Sequence, residues 1–127
     1  TLIIEGKKDK AEKVIDLAME KMPIQYFEYY SMLEPFAMGY YEVGKKEKAR
    51  EIISQVIKKY QENLTFYNSW KPSEQNFGAM DIVTDIEQYR NLLQVAKNAN
   101  DLEFYNKEKV KFNNFNKMFQ RFGRDME

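Results

Sequence analysis

The sequence predicts an all-α domain in which antiparallel helical hairpins are stacked as a short α-solenoid. Three observations lead to this prediction: apolar residues recur at helical spacing along most of the chain, one six-residue motif occurs twice, and turn-forming residues separate the periodic segments. The 127 residues are 43% hydrophobic and 15% aromatic, which is enough apolar surface for one core. We therefore expect 1–127 to fold as a single domain, with repeats at about 1–23 and 30–62 and a less regular hairpin at about 79–123.

The repeated motif, Gly-Lys-Lys-acidic-Lys-Ala, occurs at residues 6–11 and again at residues 44–49. In each copy the glycine is predicted to close one helix, because glycine adopts the left-handed conformation without strain. The acidic residue three positions later favours the N-terminus of the next helix. Apolar residues then continue at helical spacing: Ala11, Val14, Ile15, Ala18 and Met22 in the first copy, and Ala49, Ile52, Ile53, Val56 and Tyr60 in the second. On this interpretation Leu2 to Glu5 is the last turn of an earlier helix, and the chain is a piece of a longer protein.

A further helix is predicted just before Gly44. Its apolar residues fall at i, i+3, i+4 and i+7: Leu33, Phe36, Ala37 and Tyr40. Pro35 is tolerated only in the first turn of a helix, so the helix is expected to begin near Glu34. Residues 24–31 then form a separate turn or a kinked extension.

The second half of the sequence predicts a long loop followed by another hairpin. Residues 63–78 contain Pro, Gly, Ser and Asn between two periodic segments, which is typical of a loop. Helical spacing resumes after the loop: Ala79, Ile82, Val83, Ile86, Tyr89, Leu93 and Ala96. Residues 98–101 predict a turn, and the last helix is expected to end at Gly123. That helix carries an aromatic stripe: Tyr105, Phe112, Phe115, Phe119 and Phe122.

Composition excludes several classes of function. Twenty basic and twenty acidic residues give a net charge of zero, so the positive field required for binding nucleic acid is absent. The chain contains no Cys and no His, which removes thiol nucleophiles, the usual general base and the commonest ligands of transition metals. No apolar run approaches the ~20 residues of a membrane span. We expect a non-catalytic domain with no metal site and no cofactor.

The repeat resembles the tetratricopeptide motif. The apolar residues before Gly44 match the first helix of that motif, and Ala49 with Ile53 matches the small-then-large pair of its second helix. In the first copy, Ala11, Ile15 and Ala18 with the helix-ending Pro23 stand at second-helix positions. The sequence departs from the motif in its 38-residue offset against the usual ~34, in Gln61 at the closing proline, and in Asn100 and Tyr105 of the last pair.

The whole chain, with its run from Tyr40 to Ala49, is also similar to the C-terminal soluble domain of a family of Bacteroidetes multi-pass membrane proteins of uncharacterised function. The membrane part of that family is similar to protein O-mannosyltransferase-type glycosyltransferases. The resemblance implies an interaction domain at the extracytoplasmic (periplasmic) face of the inner membrane. Its partner would be another protein or the membrane-embedded part of its own parent chain, with at most a weak attraction to the membrane surface. The alternative is a free-standing tetratricopeptide-type peptide-binding adaptor.

The predicted binding groove follows from the resemblance. In tetratricopeptide domains the first helices of successive hairpins line a concave surface. Transferring that orientation brings Glu34, Met38, Tyr41 and Glu42 beside Arg90, Gln94 and Lys97, and we take these residues as the candidate site. The family's carboxylate-binding Lys and Asn are absent, because Glu34 and Met38 occupy the corresponding positions.

Other candidate sites have simpler interpretations. Trp70, with Phe66, Tyr67 and Phe77, is a candidate for sugar stacking, but packing of the loop against the helices is favoured. Asp81 and Asp85 are paired at i, i+4, as in acid-pair hydrolysis, but first-turn carboxylates are expected from the helix dipole alone. The lysines of the two motifs alternate with acidic residues, which is typical of a solvated helix face.

Overall fold

The computed structural model describes residues 2–21 and 33–122, with side chains from residue 5 onward in the first range. Six helices follow one another: α1 (Leu2–Lys21), α2 (Glu34–Glu42), α3 (Lys46–Asn68), α4 (Pro72–Phe77), α5 (Ala79–Asn98) and α6 (Leu102–Met118). A 3-10 turn, Gln120–Phe122, follows α6. The described residues contain no strand, so the predicted all-α class is confirmed.

The hairpins α2–α3 and α5–α6 turn at corners of the same geometry. Gly44 and Asn100 both have positive φ, 79° and 62°. The Gly44 amide donates to the Tyr41 carbonyl (3.1 Å), and the Asn100 amide donates to the Lys97 carbonyl (3.0 Å). In each corner the next amide bonds five residues back, which completes a Schellman motif. Asn100 therefore performs the turn that glycine performs in the first hairpin, and the turn predicted at residues 98–101 is confirmed.

The start of α2 is also as predicted. The helix begins at Glu34, and Pro35 occupies its first turn, where the missing amide of proline costs no hydrogen bond. The two alternatives for residues 24–31 lie outside the described residues.

Gly6 does not end a helix, so the prediction of a corner in the first motif is wrong. Helix α1 runs without interruption through Gly6, whose φ is not positive. Among the described residues, no neighbouring atom lies within 4 Å of where a Cβ on Gly6 would be, so the position has room for a side chain. The cost of one glycine inside a helix is only about 1 kcal/mol, and the Lys, Glu and Ala residues that follow favour helix. Leu2 to Glu5 is therefore continuous with α1.

The loop predicted over residues 63–78 is almost entirely helical. Helix α3 extends to Asn68, only residues 69–71 separate it from α4, and Gly78 alone separates α4 from α5. The Lys71 amide donates to Oε1 of Glu74 (2.8 Å), and Pro72 stands in the first turn of α4. Proline and the polar residues here are helix-starting signals rather than loop signals, which explains the error.

The last helix is shorter than predicted. Helix α6 ends at Met118, so Phe119 and Phe122 of the aromatic stripe come after it, and Gly123 lies outside the described residues. Phe119 is nevertheless fully buried. The aromatic spacing therefore predicted the burial of Phe119 correctly but overestimated the length of the helix.

The core lies where α3 and α5 meet, with α2 and α6 packed on either side. Fully buried residues include Ala49, Ile53, Ile86 and Tyr89. Helix α1 packs on α2 and buries less of its surface, since Val14 is 68% and Leu17 is 52% exposed. Ion pairs attach it to the first hairpin: Nζ of Lys48 lies 2.7 Å from Oε2 of Glu12 and 2.9 Å from Oδ2 of Asp16.

Candidate functional site

An open cleft of about 300 Å³ lies between α2 and α5. Nine residues line it: Glu34, Met38, Tyr41, Glu42, Asn91, Gln94, Val95, Asn98 and Ala99. On α2 these side chains recur at three- and four-residue intervals, and so do those of Asn91, Gln94, Val95 and Asn98 on α5, so each helix turns one face to the cleft. The cleft is a single surface made from two helices that are far apart in sequence.

The two walls of the cleft differ in charge. The α2 wall carries the carboxylates of Glu34 and Glu42, while the α5 wall carries the exposed amides of Asn91, Gln94 and Asn98. Burial raises the pKa of Glu34 above its ordinary value. Val95 is buried, whereas Met38 is 46% exposed. The cleft thus combines an apolar surface with an acidic wall and a hydrogen-bonding wall.

Tyr41 is held rigidly in the α2 wall by a buried carboxylate. Its hydroxyl donates to Oδ2 of Asp101 at 2.7 Å, and Nε of Arg50 donates to the same oxygen at 2.7 Å. Nη2 of Arg50 donates to the second oxygen, so the pairing is bidentate. The hydrogen bond from Arg50 lowers the pKa of Asp101, whereas burial, followed by the bond to Asp101, raises the pKa of Tyr41. One carboxylate therefore joins α2, α3 and the corner before α6.

The seven residues predicted for the groove are divided between two cavities. Tyr41, Glu42 and Gln94 line the cleft, together with Glu34 and Met38. Arg90 and Lys97 lie instead on the side of α5 that faces α6. Seven residues are almost two helical turns, so Arg90 and Lys97 share a stripe, but that stripe is rotated away from α2. Asn91, Val95, Asn98 and Ala99 were missed, although the spacing of Asn91 and Asn98 from Gln94 was a usable signal.

The second cavity, of about 240 Å³, lies between α5 and α6. It is lined by Arg90, Leu93, Gln94, Lys97, Tyr105 and Lys109, so three cations and no carboxylate surround it. Cζ of Arg90 lies 5.8 Å and Nζ of Lys109 lies 4.9 Å from the ring centroid of Phe112. We name this cavity the basic pocket.

Arg90 has an unusual environment. Its Nε and Nη2 atoms are buried, and neither donates to an acceptor in the described part of the protein. An unsatisfied buried donor typically costs about 1 to 3 kcal/mol, and more when it is charged. The expectation that Arg90 belongs to an exposed groove face is therefore wrong, because the guanidinium is packed against the ring of Phe112.

Trp70 is surrounded by other aromatic rings. Its ring centroid lies 5.4 Å from that of Phe66 and 5.0 Å from that of Tyr67, and both pairs meet edge to face. Cζ3 of Trp70 lies 3.0 Å from where a Cβ on Gly78 would be, so the indole packs closely against the glycine and would have to shift to admit a side chain there. This environment favours a packing role for Trp70, although Phe66 and Phe77 are 60% and 96% exposed.

The two carboxylates paired at i, i+4 differ in environment. Asp81 is exposed, whereas Asp85 is half-buried and accepts a hydrogen bond from Nδ2 of Asn63 at 3.3 Å. Burial raises the pKa of Asp85 to about 6. Burial therefore distinguishes Asp85 from Asp81, a difference that their i, i+4 spacing does not predict.

Three further findings concern metal binding, membrane spans and similarity to known proteins. No group of His, Cys, Asp or Glu among residues 2–21 and 33–122 is arranged to hold a metal ion. Within the same ranges, every helix is too short or too polar to cross a membrane. Searches of protein-family models, curated proteins and solved structures found no match to this chain.

Proposed function

We propose that this chain is a non-catalytic helical-repeat interaction domain that binds an extended peptide segment in the cleft between α2 and α5. The observation that carries the proposal is the cleft itself, which joins the first helices of two hairpins with the same corner geometry. This is the position of the ligand groove in tetratricopeptide domains, which is consistent with the resemblance of the repeat. The segment would belong to a partner protein or to the parent chain of an extracytoplasmic tail, as the wider family resemblance implies.

The chemistry of the cleft indicates which peptide it would bind. Val95, Met38 and Ala99 offer an apolar surface for one aliphatic or aromatic side chain. Asn91, Gln94 and Asn98 can both donate to and accept from a peptide backbone. Glu34 and Glu42 favour a Lys or Arg beside the apolar residue. We therefore expect basic residues flanking an apolar anchor in the bound sequence.

Selection from a random peptide display library on the intact chain tests this proposal. The expected result is an enriched set of peptides with an apolar residue next to Lys or Arg. Binding of a selected peptide is then measured by fluorescence anisotropy for Met38→Lys with Asn91→Lys, which places two positive charges in the cleft. These changes should weaken binding by about tenfold or more, because they disrupt the apolar surface and one amide and repel the basic residues of the peptide.

The matched control is Met80→Lys with Asn106→Lys, which makes the same chemical changes on exposed positions outside the cleft. Its affinity should equal that of the unmodified chain. Equal loss of affinity in both double variants would place the peptide elsewhere, and failure to enrich any peptide would refute the proposed function.

A further inference from the structure

We propose that the basic pocket between α5 and α6 is a binding site for a phosphate group carried by a small organic molecule or a lipid headgroup. The pocket is formed by Arg90, Lys97 and Lys109 around a cavity of about 240 Å³. It lies on the face of α5 next to the one that lines the peptide cleft and is independent of the proposed peptide binding. The two surfaces share only Gln94.

Arg90 carries buried donor groups that a bound anion would satisfy. A buried guanidinium in a folded protein normally donates to carboxylates, carbonyls or other acceptors. Here Nε and Nη2 are buried and have no acceptor in the described part of the chain. These two groups form one edge of the planar fork with which arginine binds phosphate in a bidentate manner.

The cations of the basic pocket differ from those of the first hairpin that lie beside carboxylates. Lys45, Lys48 and Arg50 each lie within ion-pair distance of at least one carboxylate. Within the described ranges, no ion pair is formed by the three cations of the basic pocket, and no carboxylate lines it. Three like charges around one cavity repel one another unless an anion lies between them.

The charge and lining of the pocket favour a phosphate carried by a partly apolar group. A phosphate monoester carries about two negative charges and three acceptor oxygens, which suits three converging cations better than a single carboxylate does. The cavity also contains Leu93 and the ring of Tyr105, and Nζ of Lys97 lies 5.5 Å from the centroid of that ring. The pocket thus offers apolar contact for the group that carries the phosphate.

The primary experiment is a nuclear magnetic resonance titration of the intact chain with inorganic phosphate at constant ionic strength. We expect saturable shifts of the Arg90 Nε–H signal and of backbone amides in α5 and α6, with a Kd of about 1 mM or lower. Acetate at the same ionic strength should shift these signals much less. Shifts that do not saturate, or that are equally large with acetate, would overturn the proposal.

Two double variants isolate the contribution of the pocket. Lys97→Gln with Lys109→Gln removes two charges and leaves the buried guanidinium in place, so the fold is not challenged. It should raise the Kd for phosphate by about tenfold. Lys58→Gln with Lys107→Gln removes the same charge from exposed positions outside the pocket and should leave the Kd unchanged. Equal weakening by the two pairs would indicate only general attraction to a positive surface and would also overturn the proposal.

Two further arms distinguish the sources of the phosphate. Glycerol 3-phosphate in solution is compared with phosphatidylcholine vesicles that contain phosphatidic acid, by titration and by co-sedimentation respectively. Binding of the soluble ester alone identifies a small phosphorylated ligand. Co-sedimentation that is lost with Lys97→Gln and Lys109→Gln, but not with the control pair, identifies a lipid headgroup. Binding in neither arm would refute the proposal.

Discussion

At the scale of single residues, burial rather than residue type decides which polar groups are unusual. Asp81 and Asp85 are one helical turn apart and chemically identical, yet only Asp85 is desolvated. Lys97 and Arg90 are both cations of α5, yet only Arg90 has buried nitrogen atoms without an acceptor. These differences depend on neighbours that are distant in sequence, namely Asn63 on α3 and Phe112 on α6.

Asp85→Asn should stabilise the protein at neutral pH. Because the pKa of Asp85 is raised from 3.8 to about 6, its carboxylate is disfavoured in the folded state, and stability is lost as the pH rises from about 4 to about 6. Asparagine removes that loss and retains an acceptor for Asn63. After allowance for solvent screening, we expect a gain of about 1 kcal/mol at pH 7.5 and almost none at pH 4.

Urea unfolding at both pH values measures this effect. Asp81→Asn is the control, since Asp81 is exposed on the same helix and should give no such pH-dependent gain. A gain for Asp85→Asn that is the same at both pH values would contradict the role of its ionisation.

At the scale of helices, one local pattern has two structural outcomes. The motif that begins at Gly44 forms a corner, while the motif that begins at Gly6 continues a helix. At Gly44 the chain reverses so that α3 packs back onto α2 around a shared core, whereas at Gly6 the helix continues.

Alanine at the two glycines should therefore have opposite effects. Gly6→Ala should increase helicity and stabilise α1 by about 1 kcal/mol, because the position is helical and unobstructed. Gly44→Ala should destabilise the protein by about 1 to 2 kcal/mol, because φ is 79° there. Circular dichroism and denaturant midpoints measure both effects. Destabilisation by Gly6→Ala would instead support the corner that the repeated motif predicts at Gly6.

The helices themselves were largely predictable, whereas their ends and partners were less so. Apolar spacing identified α2, α3, α5 and α6, because burial on one face imposes that spacing. It failed over residues 63–78, where proline and polar residues start α4 instead of interrupting structure. In the cleft, the α2 wall was predicted in full, but the α5 wall depends on which face of that helix turns toward α2, and Arg90 and Lys97 lie on the neighbouring face.

At the scale of the whole molecule, α1 is attached differently from the other long helices. In the described ranges the fully buried core begins at Leu33. Helix α1 packs Ile15 and Met19 against this core, keeps Val14 and Leu17 exposed, and pairs Glu12 and Asp16 with Lys48. These partners also favour the charged form of Lys48, since the hydrogen bonds that Lys48 donates to Glu12 and Asp16 raise its pKa. Attachment through ion pairs is sensitive to salt in a way that a buried apolar contact is not.

Lys48→Gln should therefore loosen α1 selectively. Amide hydrogen exchange over residues 5–21 should become faster, while exchange in α3 and α5 should change little. The control is Lys59→Gln, because Lys59 is as exposed as Lys48 but its ion pair, with Glu62, lies within one helix. If amide exchange in Lys48→Gln became faster in α1 and in the core to the same extent, α1 and the core would unfold as one cooperative unit.

The Asp101 carboxylate has a consequence for modularity. Repeat arrays are often divisible, because each hairpin contacts its neighbour through an apolar face that another hairpin can supply. In this protein, Tyr41 and Arg50 of the first hairpin depend on one acceptor at the corner of the second. Excising or exchanging the second hairpin would leave that arginine and that hydroxyl without their partner. The first hairpin therefore depends structurally on the second, and a recombined array would need to carry an aspartate at the same corner.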